Sequence, residues 1–156
     1  HTVTLSIDKK DAPFVGLFGV TKVATIENLN IAGSVSGKNC VGGVVGFGDN
    51  RTQINNCHVT ASVTGTAENV GGIAGYATGR SVFTNCVNKG DVVATCRASG
   101  IAAKTTYVDA MWCYNTGAIR RTEDYGGNSG PAAGIVAVQS TGSSISRTSF
   151  LRWSVL

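Results

Sequence analysis

The sequence predicts an all-β protein, a parallel β-helix (β-solenoid) of about five coils, and three observations lead to this prediction. A glycine phrase recurs at a nearly constant spacing, a second phrase recurs in step with it, and no segment has helical periodicity. We expect each coil to contain roughly 28 residues and three short strands. The equivalent glycines lie 27, 29, 28 and 34 residues apart, at Gly16, Gly43, Gly72, Gly100 and Gly134.

The glycine phrase is clearest in the first half of the chain. Residues 41–46 read VGGVVG and residues 70–75 read VGGIAG, while weaker copies occupy residues 14–19, 98–103 and 132–137. A spacing of this size is typical of solenoids, propellers and arrays. The repeat therefore sets the architecture of most of the chain.

The second phrase ends in Leu or Cys and keeps the same period. Its four copies end at Leu29, Cys57, Cys86 and Cys113, and a short apolar segment follows each of them. All these segments are short, rich in β-branched residues and bounded by Gly, Asn, Thr or Ser, which is typical of strands and turns. A propeller blade needs about 40 residues, and a sandwich gives no reason for phrases in constant register. A β-helix is therefore the favoured fold.

In a β-helix, equivalent residues of successive coils lie above one another, so inward positions form apolar columns. We expect asparagine amides just before the Leu/Cys column to form a hydrogen-bonded ladder, as amides do in stacked sheets, and the glycines to permit tight bends. The expected inward columns are Leu29, Cys57, Cys86 and Cys113; Leu17, Val44, Ile73, Ile101 and Ile135; and Phe14, Val41, Val70, Ala98 and Ala132. The expected amide ladder is Asn28, Asn56 and Asn85.

The repeats indicate one solenoid domain over residues 1–156, which we interpret as a fragment of a larger protein. Residues 1–11 alternate apolar and polar side chains and are predicted to form a capping strand. Residues 120–130 are predicted to be a loop insertion. The chain begins at His1 and shows neither a signal peptide nor an apolar run long enough to cross a membrane, which fits a mature product or a fragment.

The glycine phrases resemble the GLUG repeat, whose name spells Gly-Leu-any-Gly. Residues 15–19 read VGLFG, residues 43–46 read GVVG and residues 72–75 read GIAG, and each is followed by Asn-Leu or Asn-Cys. The resemblance is strong over about residues 12–94 and looser beyond them, because Ala103 and Ala137 replace the final glycine. It implies a bacterial surface or secreted protein, as in adhesin-like and immunoglobulin A1 protease-like chains, in which the repeat is noncatalytic.

Charge and cysteine content exclude several classes of function. The net charge of +4 comes from scattered basic residues, so we expect neither nucleic-acid binding nor membrane insertion. The cysteines show no metal-binding spacing, and we expect no metal and no cofactor. Cys57, Cys86 and Cys113 are predicted to be reduced core residues, whereas the state of Cys40 and Cys96 cannot be read from the sequence.

An enzyme of the polysaccharide-cleaving kind is the main alternative, because such chemistry needs paired or clustered carboxylates. Only Glu123 and Asp124 are adjacent, in the predicted insertion, and no two acidic residues share a repeat position. His58 has no acidic partner nearby in the sequence that would orient it as a base. We therefore predict no catalytic residues. The nine acidic residues are Asp8, Asp11, Glu27, Asp49, Glu68, Asp91, Asp109, Glu123 and Asp124.

Two functional classes remain. The favoured one is a non-catalytic extracellular or cell-surface stalk, spacer or adhesive surface, whose partners are flanking repeats or domains of the same chain. The other is a module that binds a host glycan or protein through a patch in the predicted insertion, formed by Arg120, Arg121, Tyr125 and Asn128. As a variant of the first class, open coil ends expose unpaired strand edges, which would permit end-to-end self-association into a filament.

Overall fold

The computed structural model describes residues 1–122, 130–147 and 149–150. Within these residues there is no helix, and therefore none that is long and apolar enough to cross a membrane. Strands from successive passes of the chain pair in parallel and in register, as in the pairing of Ala74 with Val45 and with Ala102. The predicted all-β parallel solenoid is confirmed.

Two faces of the solenoid are regular five-stranded sheets, which we call face 1 and face 2. Face 1 consists of Phe18–Lys22, Val45–Asp49, Ala74–Ala77, Ala102–Thr105 and Val136–Gln139. Face 2 consists of Thr25–Glu27, Gln53–Asn55, Ser81–Thr84, Val108–Met111 and Ser144–Ser146.

The third sheet, face 3, is longer and bent. It begins with two long strands, Thr2–Val15 and Asn30–Gly42. On later turns the same path breaks into three short strands. The short strands are His58–Val59, Ser62–Gly65 and Val70–Gly71; Val87–Asn88, Val92–Ala94 and Ala98–Ser99; Tyr114–Asn115, Ile119–Arg121 and Ala132–Ala133; and finally Ser149–Phe150. The first two turns therefore contain three strands each, as the sequence predicts, whereas the later turns contain five strand segments in the same three sheets.

Three of the side-chain hydrogen bonds between neighbouring turns, Asn56 to Asn28, Asn88 to Asn115 and Arg97 to Glu68, join residues 27 to 29 positions apart, which agrees with the predicted coil length. Along face 3, Thr2 pairs with Asn30, Asn30 with His58, His58 with Val87, and Val87 with Tyr114. These four regular turns are followed by a longer one, in which Tyr114 pairs with Ser149.

The turns enclose two apolar cores. The main core lies between faces 1 and 2 and the start of face 3, and includes Ile54, Ile73 and Phe83. The side core lies inside the bend of face 3, where Val63 and Val70 are fully buried. Because each buried column repeats from turn to turn, the core is continuous along the axis of the solenoid. Side chains fill the interior.

Three expectations change in detail. Residues 1–11 belong to the long strand Thr2–Val15, which is the first pass of face 3 and stacks in register on the next pass. The predicted place of Phe14 in the Val41 column is wrong, since Val15 pairs with Val41 and Phe14 has a left-handed φ of 54°. The predicted insertion begins with ordered strand, because Arg120 and Arg121 lie in Ile119–Arg121.

Two corners of the solenoid have left-handed backbone on every turn described. Between faces 2 and 3 the column is Asn28, Asn56, Asn85, Trp112 and Arg147, with φ between 50° and 58°. Between faces 1 and 2 the column is Val23, Arg51, Arg80, Tyr107 and Gly142, with φ between 51° and 72°. Gly and Asn adopt this conformation most readily among the natural residues. The second corner therefore carries bulkier side chains than its backbone favours.

Candidate binding surfaces

The patch predicted from the sequence is only partly within the described residues. Arg120 is exposed on its strand, and Arg121 Nη1 donates a 2.6 Å hydrogen bond to the carbonyl oxygen of Gly130. Tyr125 and Asn128 lie outside the described residues. The structure therefore places the two arginines on adjacent strand positions, and the remainder of the patch stays a prediction.

The asparagine and cysteine ladders occupy neighbouring positions at the corner between faces 2 and 3. The predicted amide ladder forms in part: Asn56 Nδ2 donates a 2.7 Å hydrogen bond to Asn28 Oδ1 at the exposed surface, whereas in the described part of the chain no hydrogen bond joins the side chains of Asn56 and Asn85. Backbone hydrogen bonds link Val87 to Cys57 and Tyr114 to Cys86, which sets the cysteines in one inward column. Leu29, at the head of that column, is partly buried against the main core.

The thiols of the cysteine column are buried and free. Cys86 Sγ donates to the carbonyl oxygen of Ile54 on the preceding turn at 3.2 Å. Contacts with the Cys113 and Cys57 thiols, together with burial, raise the pKa of Cys86. Burial likewise raises the pKa of Cys40, and neither Cys40 nor Cys96 forms a disulfide. With its pKa raised, the buried Cys86 thiol is neutral and a poor nucleophile, which suits it to packing.

The glycine column makes room for neighbouring side chains and carbonyl groups. A methyl group added at Gly72 would overlap Asn88 Cγ and the carbonyl oxygen of Gly100, and one added at Gly100 would overlap Asn115. One at Gly43 would lie 2.6 Å from the carbonyl oxygen of Gly72. The three φ values do not require glycine, so close approach is the reason for the column.

The sequence reading missed a polar pair inside the solenoid. Asn88 and Asn115 are fully buried, at the position that Ile31 and Val59 occupy on earlier turns. Asn88 Nδ2 donates to Asn115 Oδ1 at 2.7 Å, and each Nδ2 also donates to a backbone carbonyl two residues ahead. The signal was present in the sequence, because Val87-Asn88 and Tyr114-Asn115 have the repeat spacing.

A second missed feature is a row of aromatic side chains on the outside of face 1. Phe47 stands between Phe14 and Tyr76, with ring centroids 5.7 Å and 5.2 Å away. The row continues to Lys104, whose Nζ lies 5.0 Å from the Tyr76 ring centroid, a cation–π arrangement. Phe14 remains 42% exposed, so this row presents apolar surface to solvent at the first turns.

A third missed feature is an open cleft of about 470 Å³ at the corner between faces 1 and 2. Arg51, Arg80 and Tyr107 line it from three consecutive turns, together with Asn50 and Gly79. The sequence signal is that Arg51 and Arg80 each follow a turn residue, Asn50 or Gly79, at the repeat spacing. Their side chains project from the left-handed corner and are exposed.

The acidic residues stay dispersed in the described part of the chain. Glu68 forms an ion pair with Arg97 at 2.6 Å, and Asp109 accepts a hydrogen bond from Ser144. Within residues 1–122, 130–147 and 149–150, no three His, Cys, Asp or Glu side chains are grouped so as to hold a metal ion. His58 lies on face 3 and is partly buried. Glu123 and Asp124 lie outside the described residues.

These features define the molecule as a parallel β-solenoid protein. Two of its repeats, residues 37–64 and 66–93, match the model of the GLUG motif. The chain is thus a GLUG-repeat β-solenoid, and the resemblance seen in its glycine phrases is confirmed. The first phrase lies outside the matched residues but follows the same stacking, because Leu17 N donates to the carbonyl oxygen of Gly43.

The chain is similar to the crystal structure, at 1.30 Å resolution, of a "putative immunoglobulin A1 protease" from Bacteroides ovatus. The two share 21% sequence identity with a TM-score of 0.67, and the match covers 96% of this chain and 50% of that chain. At this identity the likeness establishes the fold. A search of curated proteins gives no match. The chain spans about half the length of the solved protein that it resembles.

Proposed function

We propose that this chain is a non-catalytic segment of a larger bacterial protein, secreted or held at the cell surface, in which the solenoid acts as a stalk, spacer or adhesive surface. The observation that carries the proposal is the unbroken parallel register of the repeats. Face 1 keeps equivalent residues paired over all five strands, from Phe18 through Val45, Ala74 and Ala102 to Val136.

This register favours a mechanical role because every turn is bonded to the next by backbone hydrogen bonds and by a continuous core. Each turn adds about 4.8 Å along the axis, so the number of repeats sets the reach of the segment. The match to half of a solved chain and the GLUG motifs support a place within a longer protein.

Flanking repeats of the same chain are the proposed partners at the first turn. Thr2–Val15, Phe18–Lys22 and Thr25–Glu27 are the edge strands of their sheets at that end. Phe18 is 40% exposed there although its counterpart on the next turn, Val45, is fully buried. A further coil would cover this apolar edge. A second copy of the chain would cover it too, and that arrangement would build an end-to-end filament.

A replacement experiment in the native, longer protein tests the stalk proposal. The segment is exchanged for an unrelated β-solenoid of equal length, for a flexible Gly-Ser chain, or is deleted, and attachment of cells that display the protein is measured. A stalk predicts full attachment with the unrelated solenoid and loss with deletion and with the flexible chain. Loss with the unrelated solenoid contradicts the stalk and favours a binding surface within this segment. Unchanged attachment after deletion contradicts both.

The second candidate, a module that binds a glycan or host protein, is favoured by the outward aromatic row of Phe47 and Tyr76. Such rings offer a large contact area to sugars or to apolar side chains. Binding by this aromatic row is tested with Tyr76→Ala in the attachment assay. Sedimentation velocity at several concentrations tests the filament, and a constant sedimentation coefficient contradicts it.

A further inference from the structure

The corner cleft between faces 1 and 2 combines two positive charges with an exposed aromatic ring. Arg51 and Arg80 are equivalent residues on consecutive turns, joined by the backbone hydrogen bond from Arg51 N to the carbonyl oxygen of Gly79 at 2.8 Å. Their Cα atoms are therefore about one strand spacing, ~4.8 Å, apart. Within the described residues the structure shows no ion pair or hydrogen bond at either guanidinium group. Two neighbouring like charges without a counterion repel each other, and an anion between them would relieve that repulsion.

The backbone at this corner is poorly suited to arginine. Arg51 and Arg80 have φ of 66° and 62°, in the left-handed region that costs most L-residues about 1–2 kcal/mol. At the comparable corner between faces 2 and 3, asparagine occupies the column on three consecutive turns, which is the residue that the backbone alone favours. Strain of this kind is typical of functional positions. Both side chains are exposed and line the same cleft.

The other groups at the cleft suit a sugar. Tyr107 is 51% exposed and continues the arginine column, so its ring offers a flat apolar surface. The side chain of Asn50 supplies both a donor and acceptors for hydroxyl groups. The carboxylate of Asp49, beside the corner, accepts a 2.7 Å hydrogen bond from the Asn50 backbone amide through Oδ1.

We propose that this cleft binds an acidic polysaccharide, with Arg51 and Arg80 holding carboxylate or sulfate groups and Tyr107 packing on a sugar ring. Arginine presents a planar fork of donors that matches such oxyanions in two-bond geometry. The rise between turns is comparable to the length of one sugar unit, so charges on successive sugars pair with arginines on successive turns. The site is distinct from the patch at Arg120 and Arg121, and the inference goes beyond the stalk role.

Binding of defined carbohydrates by the full chain, measured by calorimetry, tests the proposal. Oligogalacturonate is compared with its methyl ester, and dextran sulfate with dextran, so each pair differs in charge alone. We expect binding of at least one charged member and none of its neutral partner, with affinity falling as salt rises. The pair that responds identifies carboxylate or sulfate as the ligand group. Equal binding of charged and neutral partners, or binding of neither charged member, overturns the proposal.

Variants locate the site. Arg51→Asn combined with Arg80→Asn removes both charges with a residue that the corner backbone accepts, and we expect affinity to fall on the order of tenfold or more. Lys89→Asn is the matched control, an exposed basic residue between two strands of face 3 whose loss should leave affinity unchanged. Tyr107→Ala should weaken the sugar complex while leaving the salt dependence in place. Loss with Lys89→Asn alone overturns the assignment, as does tighter binding of single-stranded DNA that depends on the same two arginines.

Discussion

Asn88 and Asn115 lie one above the other in the core on consecutive turns, and the side-chain amide of Asn88 donates a 2.7 Å hydrogen bond to Oδ1 of Asn115. Both side chains are fully buried, and a branched aliphatic side chain, Val59, fills the same position one turn earlier. Each amide also donates to a backbone carbonyl, of Gly90 or Gly117. On these two turns the asparagine pair thus takes the place of apolar side chains, and its hydrogen bonds to Gly90 and Gly117 hold the loops that follow each asparagine.

Replacing Asn88 with valine is expected to destabilise the protein by about 1–3 kcal/mol, because it leaves buried acceptors on Asn115 and Gly90 without a donor. The free energy of unfolding from urea titration measures the effect. In the Asn88→Val/Asn115→Val double variant we expect the loss to be smaller than the sum of the two single losses by about 0.5–3 kcal/mol. Additive losses would show that the two amides do not stabilise each other.

Alanine at Gly72 is expected to destabilise the protein strongly, by about 1–3 kcal/mol or enough to prevent folding, because there is no room for its methyl group beside Asn88 and the Gly100 carbonyl. Gly48 is the matched control, since a methyl group there would come no closer than 3.5 Å to any neighbour. Gly48→Ala should change stability by no more than about 1 kcal/mol. Thermal unfolding of both variants compares them, and equal losses would contradict the close-packing explanation.

Stability should fall at alkaline pH because of Cys86. Its pKa is raised in the folded protein by the neighbouring thiols and by burial, whereas an unfolded cysteine ionises at about 8.5. The contribution of Cys86 to the free energy of unfolding is fully present below the pKa of the unfolded thiol and is lost as the pH rises above that pKa. The loss approaches about 1.4 kcal/mol per pH unit for one thiol.

The free energy of unfolding at pH 7.0, 8.5 and 9.5 checks this dependence, under reducing conditions. Cys86→Ala separates the effect from that of other groups, and its slope with pH should be shallower than that of the unaltered chain. Identical slopes would show that Cys86 does not carry the dependence.

Replacing Arg51 and Arg80 with asparagine should raise the melting temperature of the protein, independently of any ligand. Both residues have positive φ, and asparagine tolerates that backbone better than arginine. Removing the repulsion between the two neighbouring guanidinium groups adds to the gain. A lower melting temperature would show that the arginine stems stabilise the corner. Asn56, already suited to its corner and hydrogen-bonded to Asn28, provides the contrast: Asn56→Arg should lower stability.

The glycine phrases and the Leu/Cys phrases predicted the solenoid and its coil length because stacking makes equivalent positions periodic in sequence. The inward placement of Val44, Ile73 and Ile101 follows from the same rule. The Phe14 column was wrong by one residue because the register shifts between Lys9 and Pro13, and the pairing that resumes at Pro13 places Val15 opposite Val41. The sequence does not reveal a one-residue shift at this point, because Phe14 and Val15 are both apolar.

The sequence by itself determined the fold class, the repeat length and the ladders of like residues, because identical turns must offer identical neighbours. Only the tertiary structure decided which polar residues turn inward and which charges meet. Asn88 and Asn115 are buried while Asn28 and Asn56 are exposed, although all four recur at the coil spacing. The direction of a side chain depends on the left-handed corners that bend the path, and these depend on packing between turns. The same corners bring Arg51 and Arg80 together over one cleft.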